Sequence, residues 1–225
     1  MKLFFLVLFA CMTLVGCGNS YEKMLKNNTA EIREIYMEGS SDDVNVSLVC
    51  GHREKVYIAN GYATELIEFG VLTFTINNEE ILDNIVTFEL TVGTNKYNGD
   101  LQKNPFELNY MADIKKVIDP SQNVTATLVY GDKKINIKLV NVAKAFKVSS
   151  FDVYKIIAKK MKGEIGGFVS NKNFEGEIYI KIINDADINV GDYYYYVCIL
   201  GRNGSRLSAI ISPLSGEILA INNFK

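Results

Sequence analysis

The feature that most constrains this chain is a period-two alternation of apolar and polar side chains that recurs between residues 44 and 142. Val44, Val46, Leu48 and Cys50 fall to one side of Asn45 and Ser47, and Leu72, Phe74 and Ile76 do the same about Thr73 and Thr75. Val86, Phe88, Leu90 and Val92 alternate with Thr87, Glu89 and Thr91. Successive side chains of an extended backbone point to opposite faces, so each run reads as a strand with one face in a core. The sharpest pair is Val124, Ala126, Leu128 and Tyr130, then Gly131-Asp132, then Ile135, Ile137 and Leu139. Gly-Asp tolerates positive φ, which a tight two-residue hairpin turn needs. With weaker strands near 54–59 and 106–111, about seven strands occupy this region, the spacing of an antiparallel β-sandwich with an immunoglobulin-like outline. The chain holds no Trp, so the Cys-Trp-Cys hallmark of true immunoglobulin domains is missing.

The period changes after a hinge at 143–150. Ser149 stands three positions before Asp152, as in a capping box, and Phe151, Tyr154, Ile157, Ala158 and Met161 line one face of a helix that ends at Gly163. Strands return around Ile178 to Ile182, Tyr193 to Leu200, Leu207 to Ile211 and Glu217 to Ile221, with Asn203-Gly204 as a two-residue turn between the second and third. The expected fold is therefore β-rich with two domains: the β-sandwich over 44–142, then an α+β domain over 147–225 with one helix on an antiparallel sheet.

The helix Asp152–Lys162, the tyrosine-rich strand at 193–200 and the string from Ala209 through Ser212-Pro213-Leu214-Ser215-Gly216 to Leu219 resemble a PepSY-type domain. That family pairs a helix with a small sheet and closes with a strand, an Asp-x-x-Thr-Gly-like turn and a last short strand. Here Ser212 replaces the Asp and Ser215 the Thr. The resemblance implies an extracytoplasmic module, in some members one that inhibits or chaperones peptidases, and it brings no catalytic residue.

At the N-terminus, Lys2 precedes a nearly unbroken apolar run from Leu3 to Val15, followed by Gly16 and Cys17. The run is too short for a spanning helix, which needs roughly 20 residues, but it suits a secretory h-region. Leu14-Val15-Gly16-Cys17 resembles the lipobox of bacterial lipoprotein precursors. The resemblance implies a signal peptide at 1–16, cleavage before Cys17, and diacylglycerol and palmitate chains on that cysteine. Residues 17–43 then read as a lipidated tether with a short helix around 30–37, where Ile32, Ile35 and Tyr36 follow helical spacing. The expected location is the extracytoplasmic face of the cell membrane, with lipid as the anchor. The whole chain also looks like the small surface lipoproteins of Gram-positive bacteria that lack an assigned function.

Charge narrows the partners. With 24 basic and 26 acidic residues the net charge is −2, so there is no basic excess to neutralise nucleic-acid phosphates. His52, the single histidine, sits just after the first strand and reads as a loop residue rather than a catalytic base. Cys50 and Cys198 both fall in apolar alternating runs, which suits buried thiols, although export also permits a disulfide between them. Asp185, Asp187 and Asn189 open in the order of a calcium loop, but Val190 and Tyr196 stand where Gly and Glu are needed, and a polar loop explains them more simply. No glycine-rich phosphate loop opens a helix, so neither a cofactor nor a metal is expected.

The quartet Tyr193, Tyr194, Tyr195 and Tyr196 sends two rings to each face of its strand. One pair is expected under the helix and the other is a candidate partner-binding platform. The reading as a whole is a non-catalytic, lipid-anchored protein that binds an envelope protein or peptide. The alternative is an envelope hydrolase whose acidic catalytic residues the sequence does not single out.

Overall fold

The structure is a computed structural model that describes residues 17–78, 81, 86–105, 107, 109–184 and 193–224. Helix α1 (Cys17–Asn27) leads into β1 (Thr29–Ser40), β2 (Val44–Glu54), β3 (Leu66–Ile76), β4 (Val86–Val92), β5 (Asn95–Asp100), β6 (Gln102–Lys103), β7 (Asn109–Asp113), β8 (Val124–Tyr130) and β9 (Lys133–Asn141). After a 3-10 turn come α2 (Ser150–Lys160), α3 (Lys162–Gly166), β10 (Val169–Ser170), β11 (Asn173–Phe174), β12 (Gly176–Asn184), β13 (Tyr193–Gly201), β14 (Arg206–Ile211) and β15 (Ile218–Phe224). The chain divides into two compact units, one of Met1–Ile32, Glu54–Leu66 and Lys147–Lys225, the other of Arg33–Arg53 and Ile67–Phe146. The division between Phe146 and Lys147 falls inside the stretch read as a hinge, whereas the N-terminal part is shared between the units.

In the unit formed by Arg33–Arg53 and Ile67–Phe146, hydrogen-bonded neighbours run β6-β7-β3-β2-β1, and β1 also pairs with β9, followed by β8, β4 and β5. The two ends of that run, β5 and β6, are joined in the chain by Leu101 alone, so the mostly antiparallel sheet comes close to closing on itself as a barrel. Its core is the set of alternating side chains, with Leu48, Cys50, Leu72, Phe74, Leu90, Ala126 and Leu128 all at 0% exposure. The hairpin turns where expected: Tyr130 pairs with Lys133, and Gly131 takes φ 53°.

The other unit has a five-stranded sheet in the order β15-β14-β13-β12-β1. Its β12 to β15 form an antiparallel meander, and β1 joins parallel to β12 through Ile32 opposite Ile180. Ile178, Ile180 and Ile182 are at 0% exposure on the face that α2 covers with Val153, Tyr154, Ile157 and Ala158. Each such isoleucine contributes about 1.5–3 kcal/mol relative to an exposed one. The capping box forms as the sequence indicates, with the Ser149 hydroxyl accepting from Asp152 N–H at 3.2 Å and the Asp152 carboxylate accepting from Ser149 N–H at 3.0 Å.

Several local readings need correction, among them the strand expected near 54–59, since β2 ends at Glu54 and residues 55–59 are in no strand. Residues 30–37 are not helical; they lie in β1, because hydrogen bonding to β12 and β9 outweighs the local spacing of Ile32, Ile35 and Tyr36. The stretch read as a tether carries α1 and β1, with Leu25 and Ala30 fully buried. Phe151 is half exposed, and Val153 takes its place on the buried face of α2. The turn after β13 is longer than two residues: Gly201 and Ser205 close it, with Gly204 at φ 82° donating its N–H to the Gly201 carbonyl at 3.0 Å.

Among the described residues no helix is long and apolar enough to cross a membrane. Residues 1–16, including Leu14 to Gly16 of the string that resembles a lipobox, lie outside the described residues, and Cys17 is the first residue of α1.

Candidate functional site

Strand alternation decides the site. With Ile178, Ile180 and Ile182 turned toward the helices, β12 presents Glu177, Tyr179 and Lys181 on the opposite, outer face of its sheet. On β13 the same rule splits the tyrosine quartet. Tyr195 is 2% exposed on the helix side, where its hydroxyl donates to the Val148 carbonyl at 2.8 Å and burial pushes its phenol pKa up. Tyr194 and Tyr196 stand on the outer face with Cys198 and Leu200, while Tyr193 shares the side of Tyr195.

A strap, residues 55–65, belongs to this unit although it connects β2 to β3. Its base is tied by Lys55 N–H to the Glu65 carbonyl at 3.1 Å, and by Thr64 N–H donating to the carboxylate of Glu54, itself 1% exposed. Its middle is held by Tyr57, whose hydroxyl donates to Glu31, and whose ring meets that of Tyr179 edge-on at 6.0 Å and 89°. Its far side is held at Arg202, whose guanidinium lies 4.3 Å from the Tyr62 ring centre. Gly61 has φ 81°, and a Cβ there would come within 2.7 Å of the Arg202 backbone nitrogen, so this close approach requires glycine.

Between strap and sheet opens a cleft of about 300 Å³ lined by Tyr57, Tyr179, Lys181, Tyr196, Cys198 and Arg206. The Lys181 ammonium lies 3.4 Å from the Glu31 carboxylate, donates to the Tyr57 hydroxyl at 3.2 Å, and sits 5.5 Å from the Tyr179 ring centre. Arg206 donates to the Tyr196 hydroxyl at the other wall. Below, Tyr179 donates to Glu177 at 2.7 Å, while the second Glu177 carboxylate oxygen is buried without a hydrogen-bond partner. Burial first, and then the neighbouring Glu177, push the Tyr179 phenol pKa upward, so it stays a protonated donor. The cleft thus offers three rings, two cationic heads and several hydroxyls, and it can hold apolar groups between rings while pairing polar or acidic groups at its rim.

Of the residues singled out by sequence, Tyr196 and Cys198 reach this cleft. Asp185, Asp187 and Asn189 lie outside the described residues. His52 lies within β2 rather than in a loop, and its Nδ1 meets the Glu34 carboxylate. Cys50 and Cys198 are both free thiols, Cys50 buried with its pKa pushed up to about 11 by desolvation. No group of three or more His, Cys, Asp or Glu that could hold a metal occurs among the described residues. Sequence reasoning missed Glu31, Tyr57, Glu177, Tyr179 and Lys181. The polar positions Glu177 and Lys181 in an otherwise apolar strand were the available signal. No family model, curated protein or solved structure matches the chain.

Proposed function

We propose that the chain is a lipid-anchored extracytoplasmic protein that acts by binding a protein or peptide at the cell envelope, without catalysis. The observation that carries this reading is the aromatic cleft over the outer sheet face. Its rings are held in place before any ligand arrives, Tyr57 and Tyr179 against Lys181 and Glu31, and Tyr196 against Arg206. Such fixed amphipathic rings lose little freedom on binding and suit an extended peptide, whose apolar side chains enter between them. Beside it, β15 ends the strand order without a charge, and Leu219, Ile221 and Phe224 are about half exposed, so main-chain pairing can extend the contact.

In this reading the barrel-like unit is a β-sandwich of immunoglobulin-like outline, and the unit with α2 is PepSY-like. The second likeness draws support from the order of α2, β12, β13, β14 and β15 and from the turn at 212–216. There the Ser212 hydroxyl accepts from the N–H groups of Leu214 and Ser215 at 3.3 Å each, as an Asp carboxylate would. The test is selection from a library of extended peptides on the mature protein. Enrichment that Tyr196→Ala and Arg206→Ala each abolish supports the reading, whereas equal enrichment on both variants overturns it.

A second reading, an envelope hydrolase, draws on the buried Glu177 with one carboxylate oxygen unpartnered beside the cleft. Turnover of a peptide, ester or glycan that Glu177→Gln abolishes would establish it in place of the first.

A further inference from the structure

The helical layer carries a charge that the rest of the chain does not. Helices α1 to α3 hold Lys23, Lys26, Lys155, Lys159, Lys160 and Lys162 against Glu22, Asp152 and Glu164, a net of +3 in a chain of net −2. All six lysines are exposed.

Their placement relative to Cys17 follows from two contacts. The Lys26 ammonium lies 5.9 Å from the Tyr154 ring centre, so the end of α1 meets the start of α2. The Lys162 ammonium lies 5.7 Å from the Tyr21 ring centre, so the first half of α1 meets the start of α3, just past the end of α2. The two helices are therefore antiparallel. Tyr21 is four residues, about 6 Å of helix rise, from Cys17, so Lys162 is the lysine of this pair of contacts nearest the lipid attachment point, with Lys159 and Lys155 successively farther back along α2. Thr29 Oγ1 and the Tyr154 hydroxyl, 2.6 Å apart, lock the exit of α1 to α2, and Leu25 is fully buried, so α1 is part of the fold rather than a loose leash.

We infer that this lysine-bearing helical face docks on anionic phospholipid headgroups and so fixes the orientation of the anchored protein. The inference deepens the proposed function and rests on lipidation at Cys17. Acyl chains entering the bilayer from the start of α1 bring the ends of α2 and α3 within a Debye length of the headgroups, where each lysine adds attraction to an anionic surface. The aromatic cleft, on the opposite face of the sheet from α2, is left open to the envelope.

The test uses the mature chain with Cys17→Ser, so that lipid plays no part, at low ionic strength. It should cosediment with phosphatidylglycerol-rich vesicles and not with phosphatidylcholine vesicles. Replacing Lys155, Lys159 and Lys162 together by Gln should lower partitioning at least about tenfold. Replacing Lys133, Lys134 and Lys138 of β9 by Gln should leave it within about twofold. Equal loss in both triple variants, equal binding to the two lipids, or displacement by millimolar inorganic phosphate would overturn the docking surface. Lipid labelling of wild type reads the anchor separately. Labelling without vesicle binding refutes the docking face and keeps the anchor, and vesicle binding without labelling does the reverse.

Discussion

The ammonium of Lys181 on β12 lies 3.4 Å from the carboxylate of Glu31 on β1, two residues 150 positions apart whose strands run parallel. The Glu31 side chain is only 4% exposed, so its charge is out of water and depends on Lys181 and the Tyr57 hydroxyl. Removing Lys181 takes the cationic partner away from a buried carboxylate, and such one-sided breaking of a buried pair is costly. Lys181→Ala should therefore cost about 2–4 kcal/mol in urea unfolding, and adding Glu31→Gln to it should recover part of the loss. Additive losses would show that the two groups are not coupled.

The tyrosine quartet supplies a second contrast. Tyr195→Ala should lose about 3–5 kcal/mol, because a large buried side chain and its hydrogen bond to Val148 disappear together. Tyr196→Ala, on the cleft side, should lose less than about 1 kcal/mol and yet remove peptide capture. Similar unfolding midpoints for the two variants would contradict the assignment of faces.

Thiol chemistry tests burial directly. In native Cys17→Ser protein at mildly alkaline pH, Cys198 should react with a disulfide reagent well before Cys50, whose thiol is fully buried with its pKa near 11. Both should react after unfolding. Equal native rates would show that the Cys50 core opens readily.

The pH dependence follows from the helix cap. Hydrogen bonds from the Ser149 hydroxyl and N–H hold the Asp152 carboxyl below its ordinary 3.8. A lowered folded-state pKa stabilises the fold above the unfolded value and is lost as pH falls through the folded one. Ser149→Ala should cost about 1 kcal/mol at neutral pH and progressively less as the solution is acidified below about pH 4. Asp152 is exposed, so solvent screening keeps its own share small. A constant difference between wild type and Ser149→Ala from neutral pH down to strong acid would exclude this linkage.

What could be read in advance was local. The hairpin around Gly131 and the cap at Ser149 are visible because the deciding residues are neighbours in sequence. β1 was hidden because its backbone partners lie in β12 and β9, at the far end of the chain, while its own apolar spacing imitates a helix. The site was hidden for the same reason. Tyr196 declared itself in a run of four rings, but Tyr57 sits in a strap whose role depends on Glu31, Tyr179 and Lys181, and no short-range pattern links those positions.

The central claim, peptide binding in the cleft, is met most directly by placing a photo-crosslinking amino acid at Ala59, which lines the cleft from the strap, in the full chain and irradiating living cells. The account predicts a crosslink to one extended segment of an envelope protein, mapped by mass spectrometry, that disappears when Arg206→Ala is added and persists when His52→Ala is added. A crosslink pattern unchanged by Arg206→Ala, or no peptide crosslink at position 59 alongside one from a control position on β9, would contradict it.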